Sequence, residues 1–160
     1  MSQFIWFSDN VKGPCIKAKH EGWIEMENWG WSCAREETTS SNQQGFASGI
    51  ARFEGLHFTA AIGSATIEMF KRMLNGTHFK EVKIECTKST GSKQPETWMK
   101  VYMKHVLVKS IEQDVNPDDN SDTVTLTFSN VHVMIADQKI DGKLESEKEF
   151  KYDTVKAVEG

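Results

Sequence analysis

Cysteine and proline are both scarce, with three of each in 160 residues. Cys15, Cys33 and Cys86 form no C-x-x-C pair, and an odd number leaves at least one thiol unpaired. They read as small buried or half-buried side chains of a reducing cytoplasm rather than as a disulfide framework. Long apolar runs are missing too. Stretches such as VHVMIA are far too short to cross a bilayer as a helix. In MSQFIWFSDN no positive region precedes an apolar core, so neither a signal peptide nor export by the general pathway is expected. Positive charge is not in excess: 19 basic against 23 acidic residues leave a net charge of -4. That argues against general binding of nucleic acid or anionic membranes, which needs a basic field. With 38% hydrophobic and 26% charged residues, the chain reads as a single soluble domain, residues 1–160. A domain of this size buries roughly 70% of the surface its unfolded chain exposes.

Recognisable reaction chemistry is equally thin. GFASG at Gly45 lacks the G-x-S-x-G spacing of a nucleophile elbow, and no glycine loop is built to cradle a phosphate. His20, His57, His78, His105 and His132 are scattered singly, without the close His or Cys pairs that announce zinc. His105 and His132 fit satisfied edge or core positions better than ligand positions. DDNSDT resembles the start of a calcium loop, but Thr123 stands at the required glycine and Ser129 at the required glutamate, which leaves a solvated turn. Glu25 and Glu27 share one strand face, as carboxylates on wet faces commonly do. No catalytic, cofactor-binding or metal residue is therefore assigned.

What is present is strand pattern. Gln3–Phe7 is short and apolar, and a tryptophan-rich segment runs from about Gly22 to Arg35. In it Ile24 and Met26 hold even positions, whereas Trp29, Trp31 and Cys33 hold odd ones. Successive strand residues face opposite sides, so the buried face changes midway. The same switch recurs between Met103 and Val106, and again between Phe128 and Val131. A bulge, or a strand passing from one sheet to another, produces it. Three such bends predict a mainly β fold: a closed antiparallel barrel of about eight strands. Ile50–Thr59, Val82–Cys86 and a weakly alternating Lys143–Tyr152 supply further strands. SATIEMFKRMLNG, Ser64–Gly76, predicts one α-helix packed outside the barrel. Ser64 is its expected cap, Ile67, Phe70 and Leu74 its expected packing face, and Asn75-Gly76 its left-handed exit. The polar Glu36–Gly49 tract is long enough to be a functional loop.

Trp6, Trp23, Trp29, Trp31 and Trp98 exceed what the centre of so small a barrel needs. Some are expected at the barrel ends or in subunit contacts, where tryptophan is enriched. Unpaired strand edges point the same way, because an edge must be covered, blunted or used.

Taken in order, the short first strand, KHEGWIEMENWGWS, the polar loop, SATIEMFKRMLNG, KHVLVKS and DGKLESEKEFKYD resemble the haemolysin-coregulated protein family, Hcp. His20 with Gly22, Trp29 with Trp31, Ser64, and Val106-Leu107-Val108 carry the likeness. Three positions depart from the pattern: Ala65 where proline is usual, Lys109 where serine is usual, and Gly30 where serine is frequent. The resemblance implies a structural subunit rather than an enzyme. Homohexameric rings would stack into the inner tube of a bacterial type VI secretion system, with a contractile sheath around it and a spike protein at its tip. Effector proteins would travel in the lumen. Thr38, Ser40, Ser41, Asn42, Gln43 and Gln44 would form the ring-stacking loop, and Asn28, Gly30 and Ser32 would face the lumen. Trp29 and Trp31 would turn into packing. Assembly would take place in the cytoplasm, followed by secretion through the type VI machine without a signal peptide. Some relatives carry an effector domain after the tube domain, and none is expected here. The competing reading is a small monomeric barrel that binds a hydrophobic ligand, whose strands would keep one inward phase throughout.

Overall fold

The computed structural model describes residues 1–38, 47–156 and 158–159. Along the chain the strands are β1 (Ser2–Phe7), β2 (Ile24–Gly30), β3 (Cys33–Thr38), β4 (Ala47–Phe53) and β5 (Leu56–Ala61). Helix α1 (Ala65–Asn75) follows, then β6 (Phe79–Lys88), β7 (Glu96–Val115), β8 (Asn120–Thr127), β9 (Asn130–Ile135), β10 (Lys148–Asp153) and β11 (Val158–Glu159). Strands β7, β6, β1, β2, β5 and β8 pair in that order, and β8 returns to β7, which closes an antiparallel barrel. The ring thus takes six strands. Strands β9, β10 and β11 extend the sheet from β7 beyond the barrel, and β3–β4 form a separate hairpin.

Each predicted change of phase has a structural cause. In β2 the pairing with β5 shifts between Met26 and Asn28, so Glu27 is an extra residue. Met26 opposite Ala60 and Trp29 opposite Phe58 then face the same interior, although one number is even and the other odd. The second and third changes belong to a single junction. Up to Lys104, β7 pairs with β9, and from Leu107 it pairs with β8. His105 lies between, with a left-handed φ of 52°. Phe128 and Ser129 cross over at the same level, where the Ser129 N–H donates to the Lys104 carbonyl at 3.2 Å. Segment 123–135, which reads as one strand, is therefore two. The Trp segment and Ile50–Thr59 divide likewise, between β2 and β3 and between β4 and β5.

The barrel interior is filled. Ile5, Phe7, Leu56, Phe58, Phe79, Ile84, Met103 and Leu126 are fully buried, each contributing about 1.5–3 kcal/mol of hydrophobic stabilisation. The helix corrects two expectations. Ala65, Thr66 and Met69 form its buried face against the barrel, Phe70 is half-buried, and Ile67 and Leu74 are 57% and 78% exposed. Ile67 lies two residues from both Ala65 and Met69, a rotation of about 200°, so it points away from them. The small Ala65 and Thr66 allow close approach where the bulkier periodic residues do not. Ser64 makes no capping hydrogen bond with its side chain. Instead the Thr66 hydroxyl donates to the buried Asp122 carboxylate on β8, tying the first helical turn to the barrel. The exit follows expectation: Gly76 has φ 65°, and the Thr77 N–H reaches the Arg72 carbonyl at 3.0 Å.

Candidate assembly surfaces

Three surfaces follow from this frame. The first is a polar wall. Because the Glu27 bulge turns Trp29 inward, it turns Asn28 and Gly30 outward, opposite Thr59 and His57 of β5. Thr123 and Thr125 of β8 continue the row, and the Thr59 and Thr123 hydroxyl oxygens are 3.2 Å apart. Gly30 leaves room for His57: a Cβ there would stand 3.0 Å from the imidazole Cε1. Ser32 is exposed in the link to β3, and its carbonyl accepts the Glu54 N–H at 2.8 Å. The wall thus brings together Asn28, Gly30, His57 and a patch of threonines, which hydrogen-bond without strong charge.

The second surface is aromatic. Trp31, Phe53, Phe128 and Tyr152 pack ring against ring at centroid separations of 5.2–6.0 Å, and Trp29 adjoins Trp31 at 6.1 Å. The cluster seats the root of the β3–β4 hairpin on β10. Trp29 and Trp31 are half-buried against the core, and Trp29 sits near the Cys86 thiol, whose pKa burial pushes up. An open space of about 440 Å³ lies beside the cluster, bounded by Trp31, Cys33, Phe53, Phe150 and Tyr152. Phe53, Phe128 and Tyr152 carry no motif that marks them as a cluster. Alternation places Phe128 and Tyr152 on strand faces but does not show that they meet Phe53 and Trp31. Thr38 closes β3, and Ser40, Ser41, Asn42, Gln43 and Gln44 lie outside the described residues.

The third surface is the loop from Ser8 to Trp23. Gly13 is required there, because a Cβ would stand 2.3 Å from the Trp23 carbonyl oxygen. Gly22, at φ 80°, donates its N–H to the Cys15 carbonyl. The folded loop buries His20, which stacks on Phe4 at 4.2 Å, meets Trp23 edge-on at 4.9 Å and lies 3.7 Å from Glu85. Burial holds its pKa below the ordinary histidine value, while Glu85 pulls the other way. His105 is exposed and His132 pairs with Glu149 at 2.6 Å. Among the described residues no group of three or more His, Cys, Asp or Glu side chains is placed to hold a metal ion. Nor is any of their helices long and apolar enough to cross a membrane.

The described residues form a filled six-strand barrel with a flanking helix, an accessory hairpin and a sheet running past its closure. The family model described as "Type VI secretion system effector, Hcp" matches residues 4–134. Among solved structures, one described as a type six secretion system protein is 21% identical, covers 99% of each chain and superposes with a TM-score of 0.88. Hcp1 from Salmonella typhimurium is also 21% identical, over 99% of this chain and 98% of its own, at 0.80. A type VI secretion system effector from Yersinia pestis is 18% identical over 94% and 98%, at 0.74. A search of curated proteins returns no match. The chain belongs to the Hcp family, the tube proteins of type VI secretion.

Proposed function

We propose that this chain assembles into homohexameric rings that stack into the inner tube of a type VI secretion system. The reading's main support is the sheet that continues past the closed barrel. It leaves β10 and β11 as an edge, with Phe150 exposed beside the apolar space under Tyr152 and Val158 exposed on β11. An edge of that kind suits a heterologous contact, and heterologous contacts form rings where the rotation closes. The filled interior speaks against a monomeric carrier of hydrophobic ligands, which would need a cavity there. In this reading the chain has a structural rather than catalytic role. The tube is built in the cytoplasm, is enclosed by sheath proteins, meets a spike protein at its tip, and is ejected when the sheath contracts.

The polar wall of Asn28 and Gly30, with Ser32 at its end, is the surface we assign to the lumen. Its hydrogen-bonding, weakly charged character suits transient contact with effector proteins. Electron microscopy of the purified protein is expected to show six-membered rings, and monomers alone at high concentration would overturn the reading. Gly30→Arg tests the lumen. Rings are expected to persist while retention of a co-expressed effector falls, because the new side chain displaces the His57 ring and projects from the wall. Loss of the rings themselves would place Gly30 in a packed contact instead.

A further inference from the structure

The outer face of the β1–β6–β7–β9–β10 sheet carries a row of side chains that neither the core nor the surfaces above use. Trp6, Lys83, Tyr102, His132 and Lys151 stand directly opposite one another, one on each strand. The Lys83 ammonium lies 5.2 Å from the ring centres of both Trp6 and Tyr102, so aromatic faces rather than a carboxylate hold it in place. A cavity of about 390 Å³ opens over this row, and Lys104 and Lys151 stand in its wall. Glu81 is the acid among its described lining residues, while His132 is engaged by Glu149. No ion pair found among the described residues involves Lys83, Lys104 or Lys151. Three ammonium groups thus stand in a concave site with Glu81 in its wall and with Glu149, engaged by His132, beside Lys151, on a chain whose net charge is -4. Such a site concentrates positive potential and selects a carboxylate-bearing partner.

The same chain carries a matching group. Asp114, Asp118 and Asp119 are exposed around the β7–β8 turn. There the Asn116 side-chain oxygen accepts the N–H groups of Asp118 at 3.0 Å and Asp119 at 2.8 Å, which shapes the tip in advance. Lys104 and Val115 are eleven residues apart along β7, roughly 35 Å at strand rise. The turn therefore cannot fold back into the cavity of its own copy. A positive recess and a preformed acidic tip at separate places on one molecule are the two halves of a heterologous contact.

We propose that the Lys83–Lys104–Lys151 cavity receives the Asp118–Asp119 turn of a second copy of this chain. The proposal rests on the self-association reading and names one of its contacts. The experiment compares the parent with Lys104→Glu/Lys151→Glu, with Asp118→Lys/Asp119→Lys, and with the variant carrying all four changes. Lys83 is left in place, and circular dichroism verifies folding. The concentration at half-assembly is measured by light scattering at low salt. Each double variant is expected to need about tenfold more protein to assemble, the size expected for reversing two partly exposed pairs. The fourfold variant is expected to return close to the parent, because the charges match again with signs exchanged. Parent-like assembly of either double variant, or failure of the fourfold variant to recover, overturns the contact while leaving self-association intact. A parent that stays monomeric at every concentration overturns the tube reading itself, a result distinct from the other two.

Discussion

His20 shows how a motif residue can act through burial alone. Its ring is stacked on Phe4 and edged by Trp23, with Glu85 too far for a short hydrogen bond and Lys19 adjacent in the chain. Burial disfavours the imidazolium, so the folded pKa lies below 6.5 and the unfolded chain binds the proton more readily. The contribution to stability is therefore complete above about pH 6.5 and is lost as pH falls toward the folded value. Thermal unfolding followed by tryptophan fluorescence is expected at lower temperature at about pH 5 than at about pH 7. His20→Phe, which keeps the stacking and removes the titration, should flatten that decline. An unchanged slope in the variant would mean that another group titrates. Asp9 does not interfere in this window. The Ser8 hydroxyl and the Lys80 N–H hold its pKa below the ordinary carboxylate value, so its contribution is lost only at more acid pH.

Among the elements, β7 carries the architecture. Its twenty residues pair with β6 throughout the first half, and they exchange β9 for β8 at His105. His105 is exposed, so its φ of 52° costs backbone energy without any packing return. A β-branched residue tolerates that conformation worse, and His105→Val is expected to destabilise the protein by about 1–2 kcal/mol in urea titrations. A neutral result would show that the junction relaxes to an extended backbone. This junction also marks how far sequence reading reaches. Alternation reports the face a residue takes, so the breaks after Met26, Met103 and Phe128 were visible in the chain. It does not report which strand lies opposite. Trp31 and Cys33 keep the odd phase of Trp29, yet β3 pairs with β4 instead of joining the barrel, so two strands read as one. The helix misled for a different reason: its closest contact is made by Ala65 and Thr66, which hydropathy barely registers. Asn28 and Gly30 could be placed on the outward face by parity alone. The row of Trp6, Lys83, Tyr102, His132 and Lys151 could not, because it is assembled by register across five strands.

For the whole molecule, the aromatic root of the β3–β4 hairpin seats it against β10. Trp31, Phe53, Phe128 and Tyr152 anchor it, while Ser40 to Gln44, the ring-stacking loop that the family resemblance implies, fall in the chain between β3 and β4. Deleting Ser40 to Gln44 is expected to leave single rings visible by electron microscopy while stacked tubes and secretion are lost. Normal secretion by the deletion variant would remove the segment from the stacking role. The closure of the barrel has a kinetic consequence as well. Strands β6, β7 and β8 follow one another and pair as neighbours, so they can form early from local contacts. Strand β1 must instead find β6 across most of the first half of the chain, with Phe7 opposite Val82. Such distant pairing carries the entropy of a long loop before any contact repays it. Strand β5 reaches β8 over a similar span, so the ring is expected to be sealed after the local β6–β7–β8 meander forms, and until then the β6 edge stands open to other chains.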